Sequence, residues 1–533
     1  MTTTPAKSAH IVVVPFEAWG HVRPLLHLTV QLLTLHPNLH ITHLLSTAVA
    51  ARVSKELASS NFSHTRENAS ILERMQLVDV EAGGKGGKGQ FAVDLAAKYA
   101  AFAEAIAGYF TALFGGPNDV GLENKFEGMA PTCAIFDMVQ AFVPFVVHQV
   151  TTALGIPPIF TFAFTPTGPT AAIHHIAKEE DGGFIAALQR LVGEGMQRGE
   201  DPLAIIAPLG MGDRGIMKSL PGLPTMTDYE LHPGLGACPL PPQIVLVLFK
   251  TYEAAWSPIQ TGGIGVAVEE MEIDAKKWLE KDTGKPFLSV GFQYSDDVWN
   301  GKVAPPASTD TDGLKAIAFL DEMLKIKGAK SVIYISFGSA YFPFARIDLV
   351  HHLIDTLVST STPFLFAYAT ELFPVSPDLL DKVHTAEFGL AVHVAPQVQV
   401  LHHPATGFFL SHCGGSSMSE AIVANVPIVA WPFAADQGEH CQILKKYNAA
   451  IDLKQIKCFL GTGTKPAVLY DGTPLIGTEE AVKAEMVDLW GQLKGELGDK
   501  LTKGMGELHE LCKKSCGEGG ASRQAMLDFA KYF

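Results

Sequence analysis

Short apolar runs and longer amphipathic stretches alternate along most of this chain. HIVVVPF near the start is an unbroken apolar run of strand length. The polar EAWGH follows as a loop. VRPLLHLTVQLLTL then repeats its apolar positions at helical spacing, with Pro24 in the first turn, where a missing N–H costs little. ITHLLST, MQLVDV, CAIFD and GIPPIFTF bring back the strand-type run. Helical patterns near 48–58, at 91–114 and after Asp137 separate them. Strands alternating with helices predict a parallel sheet covered on both faces.

Residues 180–260 break this rhythm with helical pieces and the Pro/Gly-rich LPGLPTMTDYELHPGLGACPLPP, which reads as a lid or pocket wall. The polar YSDDVWNGKVAPPASTDTDG at 293–312 reads as an interdomain linker. A second alternating series follows. SVIYISFGS, PFLFAYA, GLAVHVAPQ, FFLSHCGG and VPIVAWPF predict strands, and IDLVHHLIDTLVS and SSMSEAIVAN predict helices. Residues 459–477 read as an inserted loop or hairpin, and SRQAMLDFAKYF as an amphipathic helix docked on the body. The division expected is 1–292, a linker at 293–312, 313–515, and a C-terminal helix at 516–533 packing back on the first domain. A chain of 533 residues exceeds one ordinary core, which agrees with two domains.

Composition narrows the function classes. A net charge of −15 argues against nucleic acid or an anionic membrane as the main partner. No apolar stretch is long enough to span a bilayer, and the start lacks a secretory pattern, so a cytoplasmic protein is expected. Seven cysteines, at 133, 238, 413, 441, 458, 512 and 516, are odd in number and irregularly spaced. Reduced thiols fit that spacing better than a disulfide framework. Cys512 and Cys516 have no second pair to complete a zinc site and read as helix positions one turn apart.

Two glycine-rich stretches compete as phosphate sites. GKGGKG at 84–89 matches a dinucleotide fingerprint literally, but it lies outside the opening βα unit. No ribose-binding acid follows it, so a surface loop is the better reading. FFLSHCGGSSMSEAIVAN at 408–425 is richer in chemistry. A helix N-terminus offers unpaired N–H groups and partial positive charge. Small residues let an anion approach, His412 and the serines add donors, and Glu420 lies about one turn on, where it could accept from sugar hydroxyls. An ordinary strand–turn–helix with Ser416 or Ser417 as N-cap fits these residues equally well.

The surroundings separate the two. Residues 394–437 resemble, without a gap, the donor-binding signature of the UDP-dependent glycosyltransferases of small molecules, best known from plant secondary metabolism. Ala395, Pro396, Gln397, His403, Pro404, His412, Cys413, Gly414, Ser417, Glu420, Trp431, Asp436 and Gln437 are among the positions that carry the match. WGHVRPLLHL, LPGLP, VIYISFGS and GEGGAS are similar to other family segments. Three departures stand out. Val394 replaces a tryptophan that stacks on uracil, and Gly415 and Ser416 replace the Trp and Asn of HCGWNS, which suggests a lineage outside the plant enzymes.

The resemblance implies an α/β GT-B fold, two Rossmann-like domains facing across a cleft, with the acceptor on the first and the nucleotide sugar on the second. It implies that Val394, Ala395 and Gln397 meet uracil and that Glu420 takes the ribose hydroxyls. Ser339, His412, Gly415, Ser416 and Ser417 would hold the diphosphate, and Asp436 and Gln437 the transferred sugar. His21 would be the general base and Asp137 its orienting acid. On the residues alone, the better reading of His21 is a capping or packing histidine at a helix start, and Asp137 also reads as an N-cap for the next helix. The implied reaction is inverting transfer of a sugar, glucose by the terminal Gln, from a UDP-sugar co-substrate to a hydroxyl of a small, largely apolar acceptor. No cofactor or metal is expected. Trp19, Phe142, Phe160, Phe162 and Phe164 are candidates for the acceptor pocket and equally for sheet core. His27, His402 and His403 read as structural. A nucleotide-sugar epimerase and a non-catalytic UDP-sugar-binding protein are the alternatives. A serine hydrolase is disfavoured for want of a G-x-S-x-G elbow.

Overall fold

The computed structural model describes residues 8–58, 67–80, 95–179, 183–202, 204–205, 217–233, 256–307, 309–338, 342–343, 346–368, 375–457, 467–470 and 472–533. The 84–89 glycine loop, Ser339, Cys238 and Cys458 lie outside these residues, as do parts of the expected lid and inserted loop.

Two parallel sheets organise the chain. The first holds β1 (Ala9–Val14), β2 (Leu39–Leu45), β3 (Met75–Asp79), β4 (Cys133–Asp137), β5 (Phe160–Thr165), β6 (Gly262–Gly265) and β7 (Phe287–Ser289), in the order 3-2-1-4-5-6-7. The second holds β8 (Val332–Ser336), β9 (Phe364–Ala367), β10 (Gly389–Val392), β11 (Thr406–Ser411), β12 (Ile428–Ala430) and β13 (Ala450–Asp452), in the order 10-9-8-11-12-13. Every pairing within the two sheets is parallel. This is the α/β GT-B arrangement. The unbroken apolar strands follow from it, because helices cover both faces and Ile11 to Val14 are fully buried.

In each sheet the chain order reverses once, beside β1 and β4 in the first and beside β8 and β11 in the second. Crevices at the carboxyl ends of such strands are where open α/β sheets take ligands. Register puts Val14 beside Phe136 and Ser336 beside Ser411, so the loops after each pair emerge together.

Several sequence expectations need correction. The first helix runs Trp19–Leu35, so it begins before Val22 and Pro24 falls in its second turn. His21 is therefore a helix residue, not the end of a loop. The apolar run GIPPIF was read as strand from residue 155, but pairing begins only at Phe160, because prolines cannot donate to a ladder. β6 is the glycine-rich GGIG, which no apolar periodicity marks. A Cβ on Gly262 would stand 2.7 Å from the Pro286 carbonyl and one on Gly263 2.7 Å from the Phe287 ring, so close strand packing selects glycine. The 293–312 stretch includes a helix at Asp296–Trp299 capped by Ser295, and Trp299 is buried.

At the other end of the chain, helix Glu496–Cys516 packs on helix Gly415–Val423, and helix Ala521–Asp528 lies against the first sheet. Phe529 and Tyr532 set their rings 5.1 and 4.7 Å from Phe162. His36 Nε2 donates to the Met526 carbonyl at 3.0 Å. Cys512 and Cys516 both sit on helix Glu496–Cys516.

Candidate functional site

The donor-side loop grows out of β11. Ser411, His412, Cys413 and Gly414 lead into helix Gly415–Val423, whose N-cap is Gly414. The alternative in which Ser416 or Ser417 caps the helix is thus set aside. With no side chain on the cap residue, the first-turn amides keep their capacity to donate to an anion. Two glycines make room for His412. A Cβ on Gly338 would lie 2.8 Å from its ring, and one on Gly414 2.5 Å from Nε2. Burial, with the nearby His440, lowers the His412 pKa to about 4, so the ring is neutral and offers one N–H. Cys413 takes a left-handed φ of 67°. The turn is held by Ser411 Oγ on its amide at 3.1 Å and His440 Nδ1 on its carbonyl at 2.9 Å.

One turn further, three of the expected nucleotide ligands meet. Gln397 Nε2 donates to Ser417 Oγ at 3.2 Å and to Glu420 Oε2 at 2.5 Å, and Tyr334 OH donates to Gln397 Oε1 at 3.1 Å. Val394 is 53 % exposed, an open rim where the family's stacking ring would stand. Its amide and that of His393 point at Asp312 Oδ2, at 3.5 and 3.0 Å. Ala395 is half-buried beside them. Asp436 is the N-cap residue of helix Gln437–Lys446, 3.5 Å from His440 Nδ1. Gln437 is buried, and its Oε1 accepts from the Phe433 and Ala434 amides at 2.8 and 3.3 Å. That leaves its amide N–H groups as the part able to donate to a ligand.

The first sheet supplies the facing wall. His21 Nδ1 donates to Asp137 Oδ2 at 2.8 Å, and Asp137 Oδ1 accepts from the Val139 amide at 2.9 Å. Asp137 therefore caps the 3-10 turn Met138–Gln140 and orients His21 at once. Burial alone would depress the His21 pKa. The Asp137 charge and hydrogen bond, with Asp436 across the cleft, outweigh it and raise the pKa above 6.5. The Nδ1 hydrogen bond leaves the Nε2 lone pair of the neutral ring as the basic position. Phe16 sets its ring edge to the imidazole at 5.5 Å.

Gly415 marks where the walls meet. A Cβ there would lie 3.2 Å from the Pro166 carbonyl, 3.3 Å from Thr167 and 3.6 Å from Asp436 Oδ2. This gives a physical reason for glycine where the plant signature has tryptophan. Gly415→Trp is expected to displace the 166–167 turn and cut turnover at least about tenfold, with UDP affinity nearly unchanged. Steady-state kinetics beside UDP titration checks this.

The sequence missed Arg23. From the first helix its guanidinium reaches Glu420 Oε1 at 2.7 Å and, through Nε, Glu56 at 3.2 Å. His27 Nε2 joins Glu56 at 3.2 Å, so His27 does more than pack. His402 and His403 are structural: His402 meets the Val398 and Val298 carbonyls, and His403 meets Asp321 and the Ala405 amide. The aromatic candidates for the acceptor pocket divide. Phe162 and Phe164 are sheet core, and Phe142 packs edge-on to Phe102. Phe160 is exposed at the start of β5, at the far end of the strand from the cleft, and Trp19 is covered by the Arg52 guanidinium at 4.1 Å. Among the described residues no cluster of three or more His, Cys, Asp and Glu is placed to hold a metal, and no helix is long and apolar enough to cross a membrane.

Comparison with known proteins agrees with this geometry. The family model described as UDP-glucoronosyl and UDP-glucosyl transferase matches residues 316–460. The matched stretch contains the whole donor-side loop. A UDP-glycosyltransferase of Hericium erinaceus is 29 % identical over 327 residues, 60 % of this chain and 63 % of that protein. Over these residues the chain is similar to the UDP-glycosyltransferase family. An anthocyanidin 3-O-galactosyltransferase of Actinidia chinensis var. chinensis is 28 % identical over 309 residues, 58 % of this chain and 59 % of the relative. The alignments thus span about three-fifths of these relatives' length. Similarity of fold extends further. A transferase from Siraitia grosvenorii in complex with UDP superposes with a TM-score of 0.65 at 18 % identity, covering 98 % of this chain and 99 % of that one. A Medicago truncatula protein complexed with UDP-glucose gives a TM-score of 0.64 at 18 % identity, covering 98 % of both chains.

Proposed function

We propose that this protein is a UDP-glycosyltransferase that moves a sugar, with glucose the first donor to test, from a UDP-sugar to a hydroxyl of a small, largely apolar acceptor, with inversion. The observation that carries the reading is the His21–Asp137 pair at 2.8 Å, on the wall opposite the uncapped turn at Gly414. His21 Nε2 takes the acceptor proton as the oxygen attacks the anomeric carbon. Asp137 holds the imidazole and stabilises its charged form. The diphosphate leaves toward the amides of Gly415, Ser416 and Ser417 and the His412 N–H, which stabilise the growing charge. One displacement with base and leaving group on opposite walls inverts the centre.

In this scheme residues 1–292 recognise the acceptor and 313–515 the donor, 293–312 connect them, and 516–533 pack back on the first half. Ser339, which follows β8, joins the diphosphate ligands. Glu420 and Gln397 meet the ribose and uracil, beside Val394 and Ala395. Asp436 and Gln437 hold the sugar. The free thiols among the described cysteines favour a reducing, cytoplasmic setting.

A mass-spectrometric screen of several UDP-sugars against phenols, terpenoids, sterols and hydroxy fatty acids tests the reading. An adduct of one hexose on an acceptor is expected, and UDP-sugar consumed without any acceptor product would refute it. Protein groups alone supply the leaving-group stabilisation in this scheme. Excess EDTA is therefore expected to leave the initial rate within about twofold, against the large loss that removal of a catalytic metal brings.

A further inference from the structure

A segment of the first half reaches across to the turn that carries Asp436 and Gln437. Thr227 and Glu230 close a capping box around the short helix Asp228–Leu231, with Glu230 Oε2 accepting from the Thr227 amide at 2.8 Å. The second half then grips this helix. Lys457 Nζ donates to the Glu230 carbonyl at 3.0 Å, and the Leu469 amide donates to Glu230 Oε1 at 2.9 Å. The Leu231 carbonyl sits where a Cβ on Gly438 would be, 1.9 Å away. Helix Gln437–Lys446 therefore begins against this segment with no room for a side chain.

His232 ends the segment and is 8 % exposed. Its Nε2 lies 2.8 Å from the carbonyl oxygen of Ala435, the residue before Asp436. Only an N–H can bond a carbonyl, so the proton is on Nε2. Glu439 Oε2, 3.7 Å away, favours it there. Ala435 has a φ of 56°, a left-handed conformation that a residue with a Cβ seldom adopts unless its surroundings impose it. Two contacts do so. Gln437 Oε1 binds the Phe433 and Ala434 amides on one side of the turn, and His232 binds the Ala435 carbonyl on the other.

We propose that His232 is a positioning residue for the transferred sugar. From the acceptor half, its N–H fixes the left-handed turn at Ala435 and so aims Asp436 and Gln437. This rests on the reading of those two residues as sugar ligands. UDP alone lacks the sugar, so its affinity does not depend on the turn, whereas that of a UDP-sugar does.

The test is calorimetric titration of the full chain with UDP and with UDP-glucose, without acceptor. His232→Ala is expected to weaken UDP-glucose about tenfold and to leave UDP within about twofold, which also reports an intact fold. His232→Gln, whose side-chain N–H can take over the bond, is expected to recover most of the loss. Equal weakening of both ligands, no weakening of either, or failure of the glutamine to rescue overturns the role of His232. Asp436→Ala distinguishes the two levels. If it leaves UDP-glucose affinity intact, the sugar-site reading falls and this inference with it. If it weakens UDP-glucose while His232→Ala does not, only the inference falls.

Discussion

His21→Ala is expected to lose at least about a hundredfold in turnover, while UDP affinity stays within about twofold. A positioned base supplies roughly 10²–10⁴-fold. The proposed nucleotide ligands lie on the other sheet, so UDP should bind as before. Asp137→Asn should lower turnover in the same direction, because an amide oxygen still orients the ring but no longer stabilises its cationic form. The pH profile carries a second signature. His21 must be neutral to accept a proton, and Asp137 and Asp436 hold its pKa above 6.5. The rate should therefore fall as the pH drops through that raised value, and His21→Ala should abolish the inflection. Near-wild-type turnover of His21→Ala, or an unchanged acid limb, would remove His21 from the chemistry.

Arg23→Met is expected to cost about 3 kcal/mol of folding stability, read from denaturant unfolding. The guanidinium is shared between Glu56 and Glu420, whose side chains are 16 % and 3 % exposed, so its removal leaves one partly buried and one buried carboxylate without their cation, held only by His27 and Gln397. Adding Glu420→Gln to Arg23→Met should recover a large part of the loss, because it removes one stranded charge. Acid sensitivity follows with a definite sign. Burial alone would raise the Glu56 pKa, but the His27 hydrogen bond and the Arg23 charge bring it down to about 2. The stability this gives is complete above the ordinary carboxyl value of 4.5 and fades as the pH falls toward 2. Arg23→Met should shrink that acid-dependent part. A cost below about 0.5 kcal/mol would class the pair with exposed ion pairs and cancel the argument.

The same two residues mark how far the sequence could be read. His412, Gln397, Ser417, Glu420 and Asp436 lie within one contiguous window, and their spacing through a strand, a turn and a helix fixes where each side chain emerges. On local geometry alone the stretch was equally an ordinary strand–turn–helix, and the resemblance of the whole window to a known signature separated the two readings. The pair of His21 and Asp137 could be named only through the family resemblance. Their distance of 2.8 Å depends on β1 and β4 being neighbours. The aromatic run of β5 misled, because period-two alternation tells which residues share a face but not which end of the sheet faces a ligand. Phe160 and Phe164 belong to the same strand, yet Phe160 lies at the end away from the cleft.

Arg23 and His232 carried no signal of their own. The partner of Arg23 is 397 positions away, and that of His232 is 203 away. Gly415 stood out as a departure from the signature's tryptophan, but the reason for it shows only where Pro166 and Thr167 lie beside it. By itself the chain determined the alternation of strands and helices, the two-sheet class and the strand–turn–helix at 408–425, since these follow from short-range periodicity and turn chemistry. Tertiary structure alone decided which charges are shared between the halves, which glycines are obligatory and which carbonyl His232 supports. Those depend on surfaces meeting after both sheets have formed, and contact between residues so far apart leaves no imprint on local sequence.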